Sequence, residues 1–365
     1  MKRKTATKNL ISKRKAEHLK IVVEKDVISR QPTLLNDIKL IHQALPELDF
    51  EQIDISSEFF GKPLKAPLMI ASMTGGAVMA KKLNRALAEV AAAQGIAFGV
   101  GSQRIMLRHP EMTADFAVRK WIGDGVLLGN IGAVQLEEYS PQAISEMVKS
   151  IEADGLCIHL NIGQELMQKE GHRRFRGLVE NIRKIIEKLD GRVVVKETGA
   201  GLSVEALRQL AKCGVKYIDI SGAGGTSWTK VEMYRAPDRV LRQTAATFAD
   251  WGIPSAFSII AAGRIMGESC KIIASGGLSN GLDIARAIAA GADMGAFARP
   301  ILVEFMREGK DGAAEFIKIV INELKTAMLL TGTRDISALK RAARVYTGEL
   351  RQWLTDYKWL IGDEK

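Results

Sequence analysis

From about residue 65 onward, short apolar runs rich in β-branched residues alternate with longer stretches whose apolar positions recur at helical spacing. Eight such runs stand out: Leu68–Ser72, Ile96–Val100, Val126–Asn130, Leu156–Asn161, Val193–Glu197, Tyr217–Ser221, Lys271–Ser275 and Met294–Ala298. Each is nearly continuous and lacks a polar face, as a strand buried on both sides requires. Between them the spacing predicts helices over Met79–Ala93, Pro141–Ile151, Phe175–Leu189, Ser203–Cys213, Leu282–Ala290 and Ala313–Leu330. Strand starts recur at roughly 30 residues, the length of a βα unit. The sixth and seventh runs are further apart, and the interval holds two helical patterns, Pro237–Trp251 and Ser255–Met266, separated by Gly252 and Pro254.

A doubly wound open sheet also alternates strands and helices. Two features decide for an α/β chain folded as a single (β/α)8 TIM barrel: eight cycles, and polar and glycine-rich signals placed just after the strand ends, where barrel active sites lie. The expected organisation is an N-terminal basic extension and barrel-capping segment over residues 1–64, then the barrel over residues 65–365.

Composition changes this picture little. Hydrophobic residues make up 47% and charged residues 26% of 365, near globular averages. The net charge of +10 points first to a polyanionic partner. Seven of those ten charges fall within residues 1–30, so the basic character belongs to the leader. The longest uncharged stretch, Ala66 to Ala80, is too short and too interrupted by Pro67, Gly75 and Gly76 to span a bilayer. The leader lacks the apolar segment and cleavage site of a secretory signal. Cys157, Cys213 and Cys270 show no CxxC spacing, which argues against a disulfide framework and a zinc site and for a cytoplasmic location.

The candidate chemistry follows the strands: SMTGG (72–76), GSQR (101–104), GNIGA (129–133), HLNIGQE (159–165), KETGAG (196–201), SGAGGTSW (221–228), SGGL (275–278) and GAFARP (295–300). Glycines let backbone N–H groups approach a ligand, and hydroxyls and amides hydrogen-bond a planar polar group. The last two loops fit the phosphate site that barrels build there. Lys196 ends a VVVK strand and should project its ammonium into the barrel top. His159 and Asn161 share one strand face, Glu165 is a candidate Mg2+ ligand, and Gln164 cannot titrate and would position or relay a proton. Arg14, Lys15 and His18 form a basic cluster which, with Arg104, offers phosphate-binding groups.

Together these segments resemble the type 2, FMN-dependent isopentenyl-diphosphate isomerases. RKAEH, LPELDF, FFGKPLKAPLMIASMTGG, HLNIGQE, VVVKETGAG, DISGAGGTSWTKVE, SGGLSNGLDIARAIAAGAD and TGEL carry the likeness from about Arg14 to Leu354. The resemblance implies reversible interconversion of isopentenyl diphosphate and dimethylallyl diphosphate in isoprenoid biosynthesis, with FMN, Mg2+ and NADPH to reduce the flavin. It also implies a homo-oligomer, a tetramer or octamer. It assigns Arg14, Lys15, His18, Arg104, His159, Asn161 and Gln164 to the substrate, and Glu165 to the metal. It places Ser72, Met73, Thr74, Ser102, Asn130, Lys196, Ser221, Thr226, Gly276, Gly277 and Ala298 around FMN. It gives the catalytic roles to Gln164, Lys196 and Glu232, Lys196 beside the flavin ring and Glu232 as a candidate second proton site. Thr198 and Ala200 depart from the family pattern in the lysine loop.

Two rival readings differ in class. A 2-hydroxy-acid oxidase on the same fold needs a His and an Arg in an HGGR-like stretch, where this chain has SGAGGTSW. A nucleic-acid-binding protein would interleave basic and aromatic residues, yet no aromatic residue precedes Phe50.

Overall fold

The computed structural model describes residues 14–73 and 78–358. Eight parallel strands close into a barrel: β1 (Leu68–Ile70), β2 (Ala97–Gly99), β3 (Leu127–Gly132), β4 (Gly155–Leu160), β5 (Val193–Glu197), β6 (Tyr217–Asp219), β7 (Lys271–Ala274) and β8 (Met294–Phe297). All eight overlap the predicted runs, with ends shifted by one or two residues, and β5 matches to the residue. The barrel closes through β8 against β1 and β6 against β7.

Two cores result. The larger one lies between strands and helices and joins Leu68, Phe98, Leu127, Ile158, Val195 and Ile272 to helical residues such as Leu83, Ile144, Ile185 and Leu207. The smaller one fills the barrel with Met69, Leu128, Cys157, Val194, Ile273 and Met294. Alternate residues of each strand face the two cores, which is why these runs have no polar side. Phe59, Phe60 and Tyr217 pack edge-on and tilted at the strands' N-terminal end, with Phe60 and Tyr217 centroids 4.4 Å apart. They are brought there by the hairpin of Ser57–Phe59 and Lys62–Leu64, so the lower end is sealed and the polar end is the upper one.

The long interval before β7 holds three helices: Trp228–Arg235, Arg239–Thr247 and Ser255–Met266. The first was not anticipated; its start is fixed by Ser227, whose hydroxyl accepts from the Lys230 N–H. After β8, Arg299–Leu330 runs past Gly309, whose φ of +67° breaks the helix internally, where the sequence pattern gives only its second half. The helix expected from Phe175 begins at Leu178, because Gly177 sits in the left-handed region at φ +81°.

Residues 14–24 form a helix laid against the upper end. Glu17 pairs with Arg235 at 3.3 Å and Arg14 lies 3.6 Å from Glu170. Just beyond that helix, Asp26 pairs with Lys230 at 2.9 Å. The expected basic leader over residues 1–13 and the cofactor candidate Thr74 lie outside the described residues. No described helix is long and apolar enough to cross a membrane.

Candidate active site

A cleft of about 1590 Å3, its open mouth included, occupies the upper end of the barrel. Strand register sets its floor, because Gly132, His159, Lys196 and Asp219 are successive partners across β3, β4, β5 and β6. Lys196 donates to the Glu197 carbonyl at 2.9 Å and stands 3.7 Å from Asp219. His159 Nδ1 lies 2.7 Å from Asn130 Oδ1, an acceptor, so that nitrogen carries the proton. Burial pushes the His159 imidazole down to about 3, with Lys196 and Lys15 adding to the effect. It is therefore a neutral hydrogen-bonding group at physiological pH.

One wall is cationic. Lys15 Nζ donates to the Ser102 carbonyl at 2.9 Å. Burial, then Arg14 and Arg104, bring its ammonium down to about 7. Burial likewise lowers Arg104, with Glu138 at 3.8 Å opposing it. The Nε atoms of Arg14 and Arg104 are buried without a hydrogen-bond partner. Three crowded cations with unspent donors are costly unless an anion completes them.

The opposite wall is built on a buried carboxylate. Glu232 is 1% exposed and accepts from Gln164 Nε2 at 3.0 Å and Gln168 Nε2 at 2.8 Å. His18 Nε2 lies 2.8 Å away and Arg235 pairs with the second oxygen. Burial alone would raise this carboxyl, but His18, Arg235 and the Gln164 amide outweigh it and hold it at about 2. Asn161 Nδ2 reaches Gln164 and Glu165, both at 3.2 Å. The His172 N–H donates to the other Glu165 oxygen at 2.8 Å. The two glutamines are thus aimed by Glu232 and Asn161 rather than left to rotate.

The glycine loops form the third wall. Gly276 and Gly277 have φ of +89° and +84°. A Cβ on Gly276 would lie 2.2 Å from the Gly222 carbonyl oxygen, and one on Gly225 2.4 Å from the Gly277 nitrogen. Only bare backbone lets these loops meet. Ser221, buried at φ +39°, adds a strained non-glycine turn beside them.

Of the residues singled out from the sequence, Arg14, Lys15, His18, Arg104, His159, Asn161, Gln164 and Glu165 line this cleft. So do Ser72, Met73, Ser102, Asn130, Lys196, Ser221, Thr226, Gly276 and Ala298. Glu232 and Gly277 do not line it: Glu232 supports Gln164 from behind, and Gly277 packs against Thr33 and Gly224. Sequence reasoning missed Gln135, Gln168, Ser275 and Arg299, which also line the cleft. Ser275 and Arg299 lay inside quoted motifs; Gln168 carries no local signal, since its partner Glu232 is 64 residues away.

Comparison with known proteins gives a consistent answer. The sequence pattern of the FMN-dependent dehydrogenase family matches residues 11–115 and 142–345. The isopentenyl-diphosphate delta-isomerase of Methanopyrus kandleri is 40% identical over 342 residues, 93% of either chain. That of Methanothermobacter thermautotrophicus is 42% identical over 349 residues, 94% of this chain and 96% of the relative. The Rickettsia canadensis protein of the same name is 42% identical, covering 90% and 96%. Among solved structures, a mandelate oxidase superposes with a TM-score of 0.65 at 16% identity, covering 93% of this chain and 98% of its own. A putative lactate oxidase of Pediococcus acidilactici gives 0.66 at 16%, covering 93% and 94%. At that identity the structural likeness speaks for the fold alone.

Proposed function

The chain belongs to the FMN-dependent dehydrogenase family and, within it, to the isopentenyl-diphosphate delta-isomerases, and on that premise we propose that it interconverts isopentenyl diphosphate and dimethylallyl diphosphate at an FMN held in the barrel mouth. The observation that carries the reading is the cationic wall, where the half-buried Arg14 and Arg104 keep buried, unpartnered Nε donors beside Lys15. A diphosphate supplies the missing charge and acceptors. FMN fits the remaining walls: Gly276 and its bare-backbone neighbours suit a phosphate, and Lys196, Asn130 and Ser72 suit a hydrogen-bonding ring. Bound and reduced, that ring would supply an electron-rich face against which the alkene gains and loses a proton.

The chain's own residues bind and orient. Arg14, Lys15 and Arg104 would fix the diphosphate, and Lys196 and Gln164 line the same cleft. Neutral His159 and Asn161 hydrogen-bond without adding charge. Gln164, held by Glu232, presents a fixed amide and moves no net charge. Glu165 is the carboxylate available to Mg2+, and no cluster of three ligating side chains is found among the described residues. That suits an ion which takes most of its ligands from substrate phosphates and water.

The same proposal includes NADPH as reductant, residues 1–64 as the capping segment over the barrel, and assembly as a tetramer or octamer. Val240 and Trp251, 76% and 75% exposed, support an association surface. Three free buried cysteines support a cytoplasmic location. The test is anaerobic incubation of isopentenyl diphosphate with protein, FMN, Mg2+ and NADPH. Dimethylallyl diphosphate without stoichiometric NADPH oxidation supports the proposal; flavin reduced by 2-hydroxy acids, with no isomer formed, would transfer the site to oxidase chemistry.

A further inference from the structure

Asp219, at the end of β6, is fully buried. Its Oδ1 accepts from the Ser275 hydroxyl. Its Oδ2 has no hydrogen-bond partner, yet stands 3.7 Å from Lys196 Nζ. A carboxylate oxygen stripped of water and left without a donor is expensive, and among the described residues no other cation pairs with it. Lys196 is nearly as buried and spends one hydrogen bond on its own strand end, at Glu197. The other titratable groups around this ammonium are His159 and Cys157 on β4 and Glu197 on β5. His159 is neutral, Cys157 is pushed up to about 12 by burial, and Glu197 is folded back onto the N–H groups of Thr198, Gly199 and Ala200. Asp219 is therefore the charge that opposes Lys196 across the barrel floor.

We propose that Asp219 is a positioning residue that acts through Lys196, fixing the ammonium on the floor and cancelling part of the field it projects into the cleft, so that Ser275 and Asp219 together set how strongly the site favours a reduced, anionic flavin. This deepens the proposed function and rests on it. The two partners move the field in opposite directions. Asp219→Asn removes the opposing charge and leaves the ammonium's field uncancelled. Ser275→Ala removes a donor from the carboxylate and concentrates negative charge against Lys196.

The test is the reduction potential of bound FMN, titrated anaerobically against a reference dye in wild type and both variants. Asp219→Asn should favour reduced over oxidised FMN by tenfold or more, about 30 mV in the positive direction for a two-electron couple; Ser275→Ala should move it the other way. A residue with only a packing role moves neither value in this paired fashion. An Asp219→Asn potential that is unchanged or more negative overturns the proposal. If that variant fails to fold, Ser275→Ala decides alone, and a zero or positive shift overturns it. A wild-type protein that binds no FMN would overturn the proposed function itself, whereas FMN-bound, isomerising protein with unmoved potentials overturns only the role of Asp219.

Discussion

Replacing Glu232 by Gln tests the buried wall of the site through stability and rate together. The carboxylate, lowered from 4.5 to about 2, favours its charged form in the folded protein by about 3 kcal/mol. Because the folded-state value is depressed, that contribution is complete above pH 4.5 and lost as pH falls toward 2. Glu232→Gln should thus cost about 3 kcal/mol near neutrality, or about 4 °C in melting midpoint for a chain of this size. The gap to wild type should narrow by about 1 kcal/mol between pH 7 and pH 4. Gln164 and Gln168 also lose a charged acceptor at 3.0 and 2.8 Å. Such hydrogen bonds contribute about 1.5–3 kcal/mol, so kcat should drop roughly 10- to 150-fold, with KM changing less. Thermal melts across pH 4–7, paired with steady-state rates on the FMN-loaded enzyme, measure both. A variant as stable as wild type, or one whose deficit does not shrink with acid, would refute the electrostatic account of this wall.

Three other substitutions probe separate parts. Lys15, brought down to about 7, must be protonated to hold a diphosphate. Wild-type kcat/KM should therefore fall about tenfold per pH unit above 7, and Lys15→Arg should shift that limb to higher pH; an unmoved profile would exclude Lys15 from binding. Glu165→Gln should raise the half-saturating Mg2+ concentration by on the order of tenfold, read from rates across a Mg2+ titration. Gly276→Ala places a Cβ 2.2 Å from the Gly222 carbonyl at a φ of +89°. It should cost more than about 1 kcal/mol and lose FMN on gel filtration, checked by flavin absorbance of the protein peak.

The barrel was legible because its signal is local. A run such as Val193–Glu197 is apolar on both faces, and the chain repeats that pattern eight times. The unanticipated helices are short or chemically mixed; two of them, Ile162–Met167 and Trp228–Arg235, carry site residues where a surface helix would show a polar stripe. Arg299–Leu330 was half read, because GAFARP looks like loop chemistry and Gly309 interrupts the period. The cleft was largely legible too, since its polar residues sit at strand ends where few other roles exist. What stayed hidden depends on pairing across the barrel. Nothing near Gln168 announces Glu232, and nothing in YIDIS announces that Asp219 faces Lys196, a relation created only by the register of β5 and β6.

The most direct test of the central claim is isomerisation with no nicotinamide present. With FMN on the protein photoreduced anaerobically in heavy water, isopentenyl diphosphate and Mg2+ should yield deuterium-labelled dimethylallyl diphosphate over many turnovers while the flavin stays reduced. Product formed only in step with flavin reoxidation, or none at all from the FMN-bound protein, would contradict the assignment.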